Sequence, residues 1–333
     1  MKSLITTIEE MQMYLSFNKS IGFGKLKPHV ERTQREKMQS LLGKDLYDEL
    51  ASAYESANNK VDGMPEHMQE LMQNIQDAIT NIVFLSFLAQ GQLVLGDSGF
   101  RLAVNENEKT AFQWQIEDFK YQLGLDGFNA LDRVLSYLEK NKDSFPNWSI
   151  SEAYFEQKKY LVDTAVKFND HYYINDSRMT YLSVRYIMNR IEQHVVKPLY
   201  GTKLFNKIKE KFKIGTMSSA EKYLLTNHLE PGITLLTVAK GVIERSLNLL
   251  DAGVSVNLYS YYANLKIYDK KLRSLDDKSD MVQQLQDDGN AFLQAGKDYV
   301  EQHKDEFPEY EESDLPISIF QIINNEDRKF FGV

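Results

Sequence analysis

Residues 41–50 (LLGKDLYDEL) return 158 residues later, without a gap, as residues 199–208 (LYGTKLFNKI). Gly43 meets Gly201, Leu46 meets Leu204, Tyr47 meets Phe205 and Leu50 meets Ile208. A chain that repeats itself at this spacing is constrained to fold as two copies of one module. Each copy reads as helix, break, helix. A helix over 30–42 stops at Gly43, because glycine takes positive φ without a Cβ clash. The chain restarts at Lys44, with Leu46, Tyr47 and Leu50 spaced to pack back on the first helix. In the second copy Ile187, Ile191, Val195 and Leu199 form the apolar stripe, and Pro198 tightens its end. Both glycines read as helix stops and not as ligand contacts.

The later part of the repeat is visible at other offsets. Asp97-Ser98-Gly99-Phe100 resembles Asp251-Ala252-Gly253-Val254, 154 residues on. Lys142-Asp143-Ser144-Phe145-Pro146-Asn147-Trp148 resembles Lys304-Asp305-Glu306-Phe307-Pro308-Glu309-Tyr310, 162 residues on. Small insertions in variable loops account for the drift. The expected fold is all-α: two tandem homologous helical-bundle modules, residues 1–149 and 150–312. Each carries a short irregular or β-ribbon insertion, and an extended C-terminal tail follows over 313–333.

Within each module the pattern predicts a fixed order. Thr7-Ile8-Glu9-Glu10 is a capping box opening a short helix, and Thr164 falls opposite Thr6 in the second module. Helices follow over 25–42 and 44–56, then a turn-rich linker. Pro65 fits the first turn of the next helix. The most apolar runs, 78–95 and 233–250, read as central helices buried on all sides. Polar Asn81, Gln90, Lys240 and Glu244 within them argue against a membrane span. Residues 100–104 and 254–258 read as extended segments that could pair with each other as a small ribbon. Residues 108–140 return to helix, with Gly124 and Gly127 marking a kink or a register change, and 150–161 read as a helix linking the modules. Ser218 and Glu221 form another capping signature, and Pro231-Gly232 splits 220–229 from the second central helix.

Chemistry-bearing patterns are missing. The 333 residues hold no cysteine, which excludes disulfides, thiolate metal sites and a cysteine nucleophile. The six histidines fall in no metal-binding spacing and read as surface or boundary residues. Gly96-Asp97-Ser98-Gly99 superficially resembles a serine-nucleophile loop, but its helical surroundings make it a turn. Neither Gly24-Lys25 nor Gly43-Lys44 sits in a phosphate loop. Asp276-Asp277 and Asp287-Asp288 lack the alternating ligands of a calcium loop. Residues 207–213, basic with one phenylalanine, read as the solvated face of an amphipathic helix. The sequence therefore gives no catalytic, cofactor-binding or metal residue. A net charge of −9 opposes sequence-independent nucleic-acid binding. Acidic residues within 1–10 make a secretory signal unexpected.

The tail is too apolar to be a solvated end. Ile317, Ile319, Phe320, Ile322, Phe330 and Phe331 are candidate interface residues, either packing on their own domain or reaching a neighbouring subunit.

The capped short helix followed by a long helix ending Leu42-Gly43-Lys44-Asp45-Leu46-Tyr47 resembles a family of uncharacterised proteins from Bacteroidetes and their phages. Those proteins are similar to the small helical head–tail connector (adaptor) proteins of tailed bacteriophages. The resemblance is clearest at 41–50 and weaker at 199–208. It implies a non-enzymatic virion structural protein, assembled in the host cytoplasm, that forms a ring homo-oligomer. Its partners would be itself and other virion proteins such as portal and tail components, with at most non-specific passage of DNA and no membrane. Two modules in one chain depart from the usual single module. An acidic inner surface would let DNA slide without sticking. The alternative is an intracellular all-helical adaptor or scaffold without catalytic activity.

Overall fold

The computed structural model describes residues 2–17, 21–91, 93–96, 99–102, 112–157, 159–244, 247–250, 253–256 and 275–310. The chain divides into two units, Met1–Glu156 and Gln157–Val333. Each is a helical bundle carrying one β-hairpin.

The first unit opens with α1 (Ile8–Gln12), capped by Thr7, whose Oγ1 accepts from Glu10 N at 3.3 Å. Glu10 reaches back to accept from Thr7 N at 2.7 Å, completing the box. Then α2 (Phe23–Thr33) runs through a wide i→i+5 turn (Gln34–Met38) into α3 (Gln39–Leu42). At Gly43 φ is +76° and ψ is 158°, a conformation in practice reserved for glycine. Its N–H donates to Gln39 O and its carbonyl accepts from Tyr47 N. One residue thus ends α3 and begins α4 (Lys44–Ser56). Leu46, Tyr47, Leu50 and Tyr54 of α4 are fully buried.

The core of the unit is an antiparallel helix pair, α5 (Glu66–Gly91) and α6 (Gln113–Lys140). The helix expected over 78–95 stops at Gly91, and the next residues form strand β1 (Leu93–Gly96), paired with β2 (Gly99–Leu102). Glycines and the Asp97-Ser98 pair favour a tight hairpin over more helix. Nor do Gly124 and Gly127 kink α6. They are buried inside a continuous helix, and a Cβ on Gly127 would lie 3.0 Å from Ile82 Cγ1. Their function is close approach between helices. A short 3-10 turn (Lys142–Ser144), α7 (Pro146–Ser149) and α8 (Glu152–Gln157) close the unit. The junction therefore falls at 156/157 and not at the expected 149/150. Ser151 Oγ caps α8 at Tyr154 N, and the Tyr154 ring packs edge-on against buried Trp148 at 4.9 Å, so α8 belongs with the first unit. The helix expected over 150–161 is shorter: α8 covers Glu152–Gln157, and a turn at 159 and bends at 160–162 follow.

The second unit repeats the order. Thr164 caps α9 (Ala165–His171) through Lys167 N at 3.1 Å, so its counterpart is Thr7 and not Thr6. Then come α10 (Arg178–Ile191), a second wide turn (Glu192–Val196), α11 (Lys197–Tyr200), Gly201 at φ +81° and ψ 149°, and α12 (Thr202–Ile214). Ser218 and Glu221 form a complete capping box on α13 (Ser219–Leu224). The expected split at Pro231-Gly232 is not there. A third wide turn (Leu225–Leu229) carries α13 directly into α14 (Glu230–Ile243). Widening just ahead of Pro231 lets the helix pass a residue with no N–H to give. The hairpin β3 (Leu247–Leu250) and β4 (Gly253–Val256) follows α14. Each unit therefore has its own hairpin, and the pairing expected between 100–104 and 254–258 gives way to local pairing in each copy. Finally α15 (Leu275–Gln302) packs on α14, and Lys304–Glu306 forms a 3-10 turn.

The glycine contact recurs in register. A Cβ on Gly289 would lie 2.9 Å from Leu236 Cγ. Gly289 stands 162 residues after Gly127, and Leu236 stands 154 after Ile82. The offset drift can be placed on the fold. Nine residues separate Ser56 from Glu66, but only four separate Ile214 from Ser219. The third wide turn holds one extra residue, and the link from hairpin to last helix is longer in the second unit.

Candidate interaction surfaces

The repeat-motif residues prove to be fold residues. Gly43 and Gly201 shape the elbows, and Leu46, Tyr47, Leu50, Leu204, Phe205 and Ile208 are buried. Among the described residues no group of three His, Asp or Glu side chains could hold a metal ion, and no helix is long and apolar enough to cross a membrane. His29 departs from the expected surface position. It is buried on α2, 2.8 Å from Ser86 Oγ and edge-on to Phe87. Ile317, Ile319, Phe320, Ile322, Phe330 and Phe331 lie outside the described residues, as do Asp97 and Ser98.

Two polar nodes inside each module were not anticipated. Gln34, in the first wide turn, is fully buried. Its Oε1 accepts from Leu4 N at 2.6 Å and from the Tyr47 hydroxyl at 3.3 Å, and that hydroxyl also donates to Lys2 O at 2.8 Å. Burial, then Asp48, hold the Tyr47 hydroxyl well above the usual tyrosine range, so it stays a donor. At the matching position of the second module stands Glu192, also fully buried. Its Oε1 accepts from Leu161 N at 2.6 Å. Phe205 has no hydroxyl to offer, and Lys209 supplies the donor instead. Lys209 Nζ lies 2.5 Å from Glu192 Oε2 and donates to Lys159 O at 2.7 Å. Burial lifts the Glu192 carboxyl above the usual glutamate range, while Lys209 and the Leu161 N–H draw it partly back.

The second node follows the same rule. Buried Gln76 donates to Leu4 O at 2.8 Å and accepts from the Tyr14 hydroxyl at 3.2 Å. Burial, with Asp77 and Glu10 nearby, pushes the Tyr14 hydroxyl up to about 12. The counterpart is Glu230, 154 residues on and also buried. Lys167 Nζ lies 3.2 Å from it and 2.9 Å from Asp163, and His171 Nε2 lies 3.8 Å away. Burial works against the Lys167 ammonium, but Asp163 and Glu230 outweigh it and leave it above the ordinary lysine value. Both nodes tie the segment entering each module to the bundle.

The surfaces of the modules differ more than their cores. At the start of α6, Phe112 (69% exposed), Trp114 (54%), Phe119 (41%) and Tyr121 (43%) face solvent. In the register of α15, Trp114, Phe119 and Tyr121 correspond to Asp276, Met281 and Gln283. The fold does not require aromatic groups there, and exposed apolar groups of this size are a mark of contact surfaces. A second difference lies on α4 and α12, which take up the same place in the two modules. Asp45 corresponds to Lys203, Glu49 to Lys207 and Glu55 to Lys213.

A family of unknown function (DUF6712) matches this sequence twice, over residues 38–157 and again over residues 196–316. No curated protein and no solved structure matches the chain.

Proposed function

We propose, from the premise that this chain belongs to the DUF6712 family and carries its module in tandem, that it is a virion structural protein of a tailed phage. In this reading it is a head–tail connector or ring subunit, joining portal to tail and acting through assembly with copies of itself and with other virion proteins. What supports the reading is the exposed aromatic start of α6 on a duplicated helical bundle. Aromatic groups at this exposure favour a protein partner over solvent. The localisation proposed with it is the virion.

Mass photometry and negative-stain imaging of the full-length protein, alone and with the portal protein of its source, test this reading. Closed rings in either preparation are expected. A compact monomer in both would overturn it in favour of an intracellular helical adaptor.

A further inference from the structure

The two modules put opposite charge on equivalent helices. On α4, Leu46, Tyr47, Leu50, Ala51 and Tyr54 are buried, so positions 45, 49, 52, 55 and 56 turn away from the core on a helix of 3.6 residues per turn. Asp45 and Glu55 are exposed and Glu49 is half-buried. Lys2 lies 2.8 Å from Glu55, and Lys44 pairs with Asp48, which leaves the face acidic. On α12, Leu204, Phe205 and Ile208 are buried, and the outward positions carry exposed Lys203 and Lys213 and half-buried Lys207. Two further lysines of α12 are spent inside the module: Lys209 on Glu192 and Lys211 on Glu221, 2.6 Å away. Three positions of one face thus reverse sign in register between copies of one fold.

The buried sides of the two helices are alike and apolar, and Glu49 also accepts from Asn147 Nδ2 at 2.8 Å within its own module. A surface made of like modules would repel itself if both carried the same sign. Opposite signs instead make one face of the chain complementary to the equivalent face of the other module. We propose that the α12 face of one copy of this chain docks against the α4 face of a second copy. The contact is heterologous, module two to module one, and such contacts build rings where the rotation closes. Complementary charge sets the orientation and speeds encounter. The inference rests on the self-assembly reading above and assigns it a specific pair of surfaces.

The test uses full-length protein in sedimentation velocity at about 50 mM and about 500 mM salt, where surface charge is weakly and strongly screened. One variant reverses the acidic face (Asp45→Lys, Glu49→Lys, Glu55→Lys). The other reverses the basic face (Lys203→Glu, Lys207→Glu, Lys213→Glu). Circular dichroism checks the fold, and Asp45→Lys alone replaces the triple variant if Glu49 or Glu55 proves structural. Wild-type association should weaken about tenfold or more at high salt, and each variant alone should weaken similarly at low salt. An equimolar mixture of the two variants should associate again, because each then offers the face the other lacks. Wild-type assemblies indifferent to both reversals would overturn this pairing and leave the assembly reading standing. Wild-type monomer at every concentration and salt would overturn the pairing, and the assembly reading would then stand or fall on the preparation with the portal protein. Variants that weaken association but are not rescued by mixing would also overturn the pairing.

Discussion

Gln34 and Glu192 occupy one position in two copies of a fold, and their surroundings have changed with them. In the first module the node is neutral: Gln34 with the hydroxyl of Tyr47. In the second it is ionic: Glu192 with Lys209, while Phe205 takes the place of Tyr47. Gln76 with Tyr14 and Glu230 with Lys167 and His171 repeat the contrast. The backbone N–H of the entering segment, Leu4 or Leu161, is received at 2.6 Å in both modules. What the fold demands is an acceptor for that N–H, since a buried donor without one is costly. Charge is a local choice, tolerated where a cation balances it.

That contrast can be broken from either side. The largest effect should come from Lys209→Ala, which leaves Glu192 buried with no cation. A loss of about 3–5 kcal/mol in the second module is expected, read by urea unfolding of the whole chain with hydrogen exchange at the Leu161 amide. Converting the node to the first module's version, with Glu192→Gln, Phe205→Tyr and Lys209→Ala together, should recover all but about 1 kcal/mol. If the combined variant is as unstable as Lys209→Ala, the two nodes are not interchangeable.

Next in size are the shared glycines. Gly289→Ala brings a Cβ against Leu236 and should cost about 1–3 kcal/mol by overpacking. Gly127→Ala should cost the same or less, because its contact with Ile82 is slightly looser. Gly43→Val should also cost about 1–3 kcal/mol, because φ is positive there. A neutral thermal melt for Gly43→Val would show that the elbow relaxes.

Tyr47→Phe, which borrows the second module's residue without its lysine, should cost about 1–2 kcal/mol by stranding Lys2 O. Equal melting of wild type and variant would sink that assignment.

The smallest effect concerns pH. Burial lowers the affinity of His228 for a proton, against an opposing hydrogen bond with the Phe292 backbone. Its folded value thus lies below the unfolded one, so the stability it contributes is present above the unfolded value. That stability is lost as pH falls through about 6.5 toward the folded value. Wild type should lose melting temperature across that window, and His228→Gln should flatten the slope.

The duplication, the capping boxes and the elbows were all legible, because Gly43, Thr7 and Ser218 act through local backbone geometry that residue type dictates. The hairpins were half legible. Glycine flanks marked a turn, but apolar runs such as 89–95 suit buried helix and strand equally. The wide turn at 34–38 carries no residue signature, whereas those at 192–196 and 225–229 are each followed two residues on by a proline, Pro198 and Pro231, that reads equally well as a helix end. Most instructive are the polar nodes. Gln34 aligns with Glu192 at the same offset as Gly43 with Gly201, yet a reading that follows apolar stripes passes over a polar residue shared by both copies. The reversal of Asp45, Glu49 and Glu55 to lysine was likewise present in that alignment, but it becomes meaningful only once both helices are seen to turn those positions outward.

The wide turn at Leu225–Leu229 shows how such a chain can change length. It lodges one surplus residue inside a buried rod, and everything beyond it, Leu236 against Gly289 included, keeps its opposite number. Descendants of this module are therefore free to gain or lose a residue within a helix, and a gap in aligning them is as natural at that turn as in any loop.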